Sequence, residues 1–186
     1  MTSSPNIIVI LAHASLHHSR VNRRLAQAAK ALSNVTVHDL YENYPDFDID
    51  MQREQALLAS ADLVVVQHPI QWYSMPSLLK EWFDVVLEYG WAYGEGGNAL
   101  KGKSYWLVAS TGGASDTYRT DGMHQHSFST FLPAQEQTAR LCGMTWIPPH
   151  IFHGAHQADI VSLDQHVATY VEQLETYPHW PAKHGT

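Results

Sequence analysis

Three short stretches of this sequence concentrate groups suited to gripping a flat, phosphorylated ligand. The first runs from His13 to Asn22 (HASLHHSRVN) and brings His13, Ser19, Arg20 and Asn22 to the start of a helix-forming segment at Val21. Free amides at a helix start, a hydroxyl, a carboxamide and a guanidinium together meet the needs of a phosphate monoester dianion. Taken alone, Ser19 is equally well explained as an ordinary helix cap. The second stretch, Pro69, Ile70, Gln71, Trp72 and Tyr73, is a turn between an apolar strand and a helix. Its amides can address the polar edge of a ring system while Trp72 and Tyr73 cover the apolar body. The competing explanation places both aromatics in the core. The third stretch, Thr111, Gly112, Gly113 and Ala114, leads into Ser115-Asp-Thr-Tyr118. Paired glycines let the backbone approach a planar ligand and present amides to its electron-rich edge. Thr-Gly-Gly alone could be any turn; three such stretches at one sheet edge are a stronger signal. The first loop carries neither GxGxxG nor GxxxxGK[ST], so a dinucleotide fingerprint and a triphosphatase loop are both disfavoured.

The elements that must position these loops follow from hydrophobic periodicity. Strands are predicted at Ile7–Ala12, Val35–Leu40, Asp62–Gln67 and Ser104–Ser110, with a fifth near Met144–Ile147 continuing around Ile151. Helices are predicted at Val21–Leu32, about Met51–Ala59 with Asp50 as cap, from Pro76 onward, about Ser129–Leu141 and near Leu163–Tyr177. In the Pro76 helix, proline suits the first helical position and Ser74 suits the cap; Leu78, Leu79, Trp82, Phe83, Val86 and Leu87 recur at helical spacing. Alternating strands and helices imply parallel pairing through right-handed crossovers. The expected fold is therefore α/β, a flavodoxin-like doubly wound parallel sheet of five strands in the order 2-1-3-4-5. One domain is expected over residues 1–186, with residues 1–5 as a disordered tail. In such a sheet the loops after strands one, three and four meet where the winding reverses, and ligands bind there.

The formal net charge of -7 over 186 residues disfavours nucleic acid or an anionic membrane as principal partner, since both demand a basic face. This length can bury a core without disulfides or metal. Cys142 stands alone, so no internal disulfide forms; among apolar neighbours at a helix end it reads as a buried, unreactive thiol. The amino-terminal apolar stretch is too short to cross a bilayer and lacks a basic lead, so a soluble cytoplasmic protein is expected. The 13 histidines invite a metal reading at His17-His18, at His124 and His126, and at His150, His153 and His156. None forms a compact set with a carboxylate such as HExxH, so no metal is expected. Asp46, Asp48 and Asp50 lack the spacing of a calcium loop and read as capping and solvated groups. Of Arg20, Arg23 and Arg24, one is expected to face the phosphate.

At the three loops, and at YPDFDID, QHPIQWYSMPSLLKEW, GWAYGEGGNALKGK and CGMTWIPP, the sequence resembles the NAD(P)H:quinone oxidoreductase (DT-diaphorase) family. Within it, the resemblance is nearest to the ancillary flavoproteins of bacterial glutathione-gated potassium efflux systems. It implies that His13, Ser19 and Asn22 match the family's phosphate loop. Pro69 to Tyr73 would be the turn on the isoalloxazine, Thr111 to Ala114 the second ring-binding turn, and Tyr118 and His124 the catalytic pair beside the flavin. Asp116 and Arg119 depart from the pattern, and the long carboxyl-terminal extension of the larger animal enzymes is absent.

The implied activity is two-electron reduction of a quinone by a ping-pong cycle. NADH or NADPH delivers hydride to FMN (or FAD), and Tyr118 and His124 supply a proton or hydrogen bond to the acceptor. The alternatives are an activating subunit of a glutathione-gated potassium/proton efflux antiporter, which would place the protein at the inner face of the membrane through that partner, and a general azo- or nitro-reductase. Family members build the flavin site from two chains, so a homodimer is implied, with the aromatic segment around Trp91 and Tyr93 as a candidate contact.

Overall fold

Ile7–Leu11 forms β1 and is buried at every position, as are Leu63 to His68 of β3 (Leu63–Pro69) and Tyr105 to Ser110 of β4 (Ser104–Ser110). Continuous apolar strands of this kind require cover on both faces, which crossover helices provide. The structure is a computed structural model that describes residues 4–180. Its sheet is parallel in the order β2-β1-β3-β4-β5, with β2 at Val35–Asp39 and β5 at Thr145–Phe152. Ile7 of β1 lies opposite Val35 on one side and Leu63 on the other.

Strand alternation divides the core in two. Ile8, Ile10, Val64, Val66, Tyr105 and Leu107 face α3 (Met51–Ser60), α4 (Ser77–Val86) and α5 (Pro133–Leu141). Ile7, Val9, Leu63, Val65, Trp106 and Val108 face α1 (Val21–Lys30) and α6 (Ile160–Thr176). In α4 the predicted stripe of Leu78, Leu79, Trp82, Phe83 and Val86 is buried as expected.

Several boundaries differ, each for a local reason. A short helix, α2 (Leu40–Asn43), takes the last residue of the strand expected at Val35–Leu40 and continues from it, because the Asp39 carboxylate accepts from the amides of Tyr41 and Glu42. Asp50 caps α3 as predicted, accepting from the Arg53 amide at 3.0 Å. Pro76 stands one residue outside α4 with an extended ψ of 150°, and no side chain caps that helix, so Ser74 does not serve as its cap. The helix expected from Ser129 breaks into a 3-10 turn at Phe128–Phe131 and α5, because Pro133 lacks an amide proton and suits only a first turn. β5 is one strand: Trp106 pairs with Ile147 and Val108 with His150, so a bulge absorbs one extra residue at Pro148 and Pro149. α6 begins at Ile160, capped by the Asp159 carboxylate on the Ser162 amide at 2.9 Å. Of the expected tail, residues 1–3 lie outside the described residues, while the Pro5 carbonyl accepts from Asn34 Nδ2 at 3.0 Å. Among the described residues no helix is long and apolar enough to cross a membrane.

Candidate functional site

The carboxyl ends of β1, β3 and β4 stand side by side, so the loops that leave them converge. After β1 a 3-10 turn at Leu16–His18 delivers the chain to Ser19 and α1. Ser19 does cap the helix: its Oγ accepts from the Asn22 amide at 3.0 Å. The cap uses an oxygen lone pair and leaves the hydroxyl proton available to a ligand, so the capping and ligand-holding explanations coexist. Asn22 is placed differently from the expectation of ligand contact. Its side chain is 1% exposed and donates to Ser110 Oγ at 2.8 Å, while its carbonyl accepts from Gln67 Nε2 at 2.9 Å. It ties α1 to β3 and β4 beneath the cavity floor. Val21 is likewise buried by its side chain, leaving only its backbone at the helix start. His13 Nδ1 accepts from the Ser15 amide at 3.1 Å, and burial holds its pKa below the ordinary histidine value, so the ring is neutral near pH 7.

The β3 loop is a tight turn closed at both ends, with Gln71 N donating to Ser74 O at 3.0 Å and Ser74 N to Gln71 O at 2.9 Å. Its central residues, Trp72 and Tyr73, have φ of 49° and 63°, left-handed values that cost a bulky residue conformational energy. Trp72 is 94% exposed, which disposes of the core-aromatic explanation. Tyr73 packs its ring 4.9 Å from that of Phe131, and its hydroxyl lies 3.4 Å from His124 Nδ1.

The β4 loop is laced to the exit of β5. Thr111 N donates to Phe152 O, Gly154 N to Gly113 O and Ala155 N to Thr111 O, at 2.9, 2.8 and 2.8 Å. Thr111 Oγ1 donates to Gly113 O at 2.7 Å and lies 2.9 Å from His153 Nδ1. Ala114 leads into a 3-10 turn at Ser115–Thr117 that carries Tyr118 back beneath the loop. The Tyr118 and His124 rings stack at 4.1 Å and 15°. Burial raises the Tyr118 pKa, with a partly opposing contact from Thr111, so the phenol is protonated at neutral pH. His124 Nε2 is buried with no hydrogen-bond partner. It stands directly behind Gly113, where a Cβ would come within 2.7 Å of it.

Between the loops lies a cavity of about 380 Å³, within the range of small-ligand sites. It is lined by His13, Ser19, Arg20, Pro69, Ile70, Gln71, Thr111 and Gly112, all expected from sequence, and by Ser15, His18, Ser110, Ala155 and His156, which were not. Trp72, Tyr73, Gly113, Ala114, Tyr118 and His124 lie outside this lining, at the rim or behind the Gly113 turn. His156 and its neighbour His153 come from the β5 exit; their only sequence signal was a histidine cluster weighed as a metal site. Among the described residues no group of three metal-ligating side chains gathers. The lining contains the Arg20 guanidinium, three histidine rings and the hydroxyls of Ser15, Ser19, Ser110 and Thr111 but no carboxylate, in a chain of net charge -7. That combination selects an anion at the Ser19 and Arg20 end and leaves amides and glycine at the other. Arg119 is engaged elsewhere, its Nε 3.1 Å from Asp121 Oδ1.

The residues present fit FMN on these grounds: an acid-free hydroxyl and guanidinium end for the phosphate, and a Gly112 edge open to the cavity for the ring. A family model described as flavodoxin-like fold matches residues 5–176. The glutathione-regulated potassium-efflux system ancillary protein KefF of Salmonella arizonae is 42% identical over 179 residues, covering 96% of this chain and 99% of that protein. The crystal structure of general stress protein 14 from Treponema denticola, in complex with FMN, superposes with a TM-score of 0.87 at 38% identity, covering 92% of this chain and 99% of the other. That of an NADPH-quinone reductase from P. pentosaceus gives 0.82 at 28%, covering 90% and 96%.

Proposed function

This chain belongs to the flavodoxin-like fold family, and we propose that it is an FMN-dependent NAD(P)H:quinone oxidoreductase. The observation that carries the reading is the cavity itself: one acid-free space reaches from Ser19 and Arg20 to the Pro69–Gln71 and Thr111–Gly112 backbones. The chemistry FMN supplies when bound is two-electron carriage between a nicotinamide and an acceptor. Ser19, Arg20 and the first amides of α1 hold the phosphate. The amides of Gly112 and Gly113 orient the ring edge and stabilise negative charge there, beside the Gln71 side chain, since the Ile70 and Gln71 amides are already donated to Ser110 O and Ser74 O. Trp72 and Tyr73 wall the face on which nicotinamide and acceptor alternate. Tyr118 holds a proton on its hydroxyl and can donate it or a hydrogen bond to the acceptor, while the stacked His124 fixes the orientation of the phenol ring.

The test is direct. The purified chain should bind FMN stoichiometrically and oxidise NADH or NADPH only when a quinone is added. A chain that binds neither FMN nor FAD overturns the reading. An azo dye or nitroaromatic reduced faster than any quinone would reassign the acceptor within the same mechanism.

A second reading is supported by the extent of likeness to KefF, 96% of this chain and 99% of that protein. In it the same flavin site serves a regulatory subunit at the cytoplasmic face of a membrane-bound potassium/proton antiporter, and the chain works as a homodimer. Potassium efflux from cells carrying the antiporter should rise on co-expression of this chain. Efflux that is indifferent to the chain removes the second reading and leaves the first intact.

A further inference from the structure

Behind the Pro69–Tyr73 turn runs a buried chain of polar groups for which the proposed chemistry has no use. His68 is 0% exposed, Gln135 5% and Tyr105 2%. His68 Nδ1 lies 2.9 Å from the Pro69 carbonyl oxygen and its Nε2 lies 3.1 Å from Gln135 Nε2; Tyr105 donates to Gln135 Oε1 at 2.8 Å. One proton arrangement satisfies all of these. A carbonyl only accepts, so Nδ1 carries the proton; a neutral ring then leaves Nε2 as an acceptor, which demands the amide nitrogen of Gln135 and turns its oxygen toward the tyrosine hydroxyl. Burial keeps the ring neutral by pushing its pKa down to about 4.

The consequence falls on the peptide that follows. The Pro69 carbonyl is held by His68, and the Ile70 amide of the same peptide unit donates to Ser110 O on β4 at 2.7 Å. Both polar ends of that unit are thus fixed to buried scaffold. One residue later the chain enters the turn with left-handed Trp72 and Tyr73. Such conformations persist only where the surroundings over-determine them. The Gln71–Ser74 pair closes the turn upon itself but does not anchor it to the sheet; the Pro69–Ile70 unit does.

We propose that His68, held in register by Gln135 and Tyr105, is a positioning residue that clamps the Pro69–Ile70 peptide and so fixes the strained turn forming the ring wall of the cavity. The relay draws on three elements, β3, β4 and α5, and it carries their rigidity to a loop whose side chains face solvent. This inference rests on the flavin reading for its functional consequence, but its structural core can be tested without a cofactor.

The experiment compares His68→Leu, His68→Asn and Gln135→Leu in the full chain. Asparagine can present an amide proton to the Pro69 carbonyl but cannot reach Gln135, so it separates the clamp from its support. Amide hydrogen exchange is followed across residues 69–75 without cofactor, with FMN affinity and the midpoint potential of bound FMN as further readouts. His68→Leu should speed exchange in this segment at least tenfold, weaken FMN about tenfold and shift the potential. A tenfold change in relative affinity for the two redox forms corresponds to about 30 mV. His68→Asn should restore most of all three. A loss of global stability alone would not move the potential, so an unchanged potential in His68→Leu defeats the positioning role. So does segment exchange equal to the parent, or a His68→Asn variant as impaired as His68→Leu. If His68→Leu does not fold, Gln135→Leu decides: it should loosen the 69–75 segment by a smaller factor of the same sign, and parental exchange overturns the relay. A parent that binds no FMN defeats the flavin reading instead, and the exchange data still judge the clamp.

Discussion

Gly113 shows how closely single atoms are placed at this site. A methyl group there would stand 2.7 Å from His124 Nε2 and 3.0 Å from Thr117 Oγ1, under van der Waals contact. Gly113→Ala should therefore push His124 off the Tyr118 ring while leaving the Ser19 and Arg20 end untouched. Quinone turnover should fall about tenfold with FMN retained, measured by steady-state rate beside flavin absorbance of the purified protein. Tyr118→Phe with His124→Gln should be more severe, about 10²-fold or greater, the scale of a lost general acid. Unchanged turnover in the double variant removes the pair from the mechanism. Ser19 acts at the other end, since its Oγ caps α1 and that cap uses an oxygen lone pair rather than the hydroxyl proton. Ser19→Ala should cost about 1 kcal/mol of stability through the lost cap. It should also narrow the preference for FMN over riboflavin, which lacks the phosphate. Equal loss for both flavins would mean that Ser19 only caps.

At the level of elements, much was legible because the strands are buried on both faces and announce themselves as apolar runs; β4 was bounded correctly at Ser104–Ser110. The three loops were legible for the same reason, since strand ends fix where loops must lie. What escaped was set by single side chains acting on the backbone: Asp39 nucleating α2, Pro133 dividing α5 from its preceding turn, and the bulge at Pro148 and Pro149 that merges β5 into one strand. The contribution of the β5 exit to the cavity, through Ala155 and His156, also escaped, because nothing local to that segment marks it as lying against Thr111. Nor does sequence disclose that Trp72 and Tyr73 take left-handed angles, since asparagine and glycine are the usual occupants of such a turn. That strain is itself testable. Trp72→Asn exchanges a bulky residue for one that tolerates positive φ, at a position 94% exposed and so without loss of buried surface. Urea unfolding should show a gain of about 1 kcal/mol, together with a raised KM for the acceptor as the aromatic wall is lost. A loss of stability would instead mean that the indole is covered in solution by a second copy.

Across the whole molecule, buried ionisable groups set how stability follows pH. His68 is fully buried with its pKa pushed down to about 4 from an ordinary 6.5, so between those values the unfolded chain binds a proton that the native state refuses. Its contribution is complete above pH 6.5 and is lost as pH falls toward 4, amounting to about 3 kcal/mol. His13 and His153, whose pKa values burial also lowers, act in the same direction. Asp39 opposes them: burial raises its pKa despite two amide donors, so the native state takes up its proton first as the solution acidifies. Glu54 acts lower on the scale. Burial alone would raise its pKa, but His38 at 2.9 Å, Tyr44 at 2.6 Å and Trp82 at 2.8 Å outweigh it, and the net pKa is depressed. The stability Glu54 supplies is present above the unfolded carboxylate range and is lost as pH falls below it. The chain should therefore unfold in acid along a curve that bends twice, first between pH 6.5 and 4 and again below about 4.5. Urea titrations at half-unit steps check this with two variants. His68→Leu, less stable throughout, should have a flatter slope in the upper window only. Glu54→Gln should lose about 2 kcal/mol at neutral pH, because an amide cannot accept from all three donors, and should flatten the lower window only. A His68→Leu slope as steep as the parent's between pH 6.5 and 4 would show that His68 is not the neutral buried donor the Pro69 clamp requires.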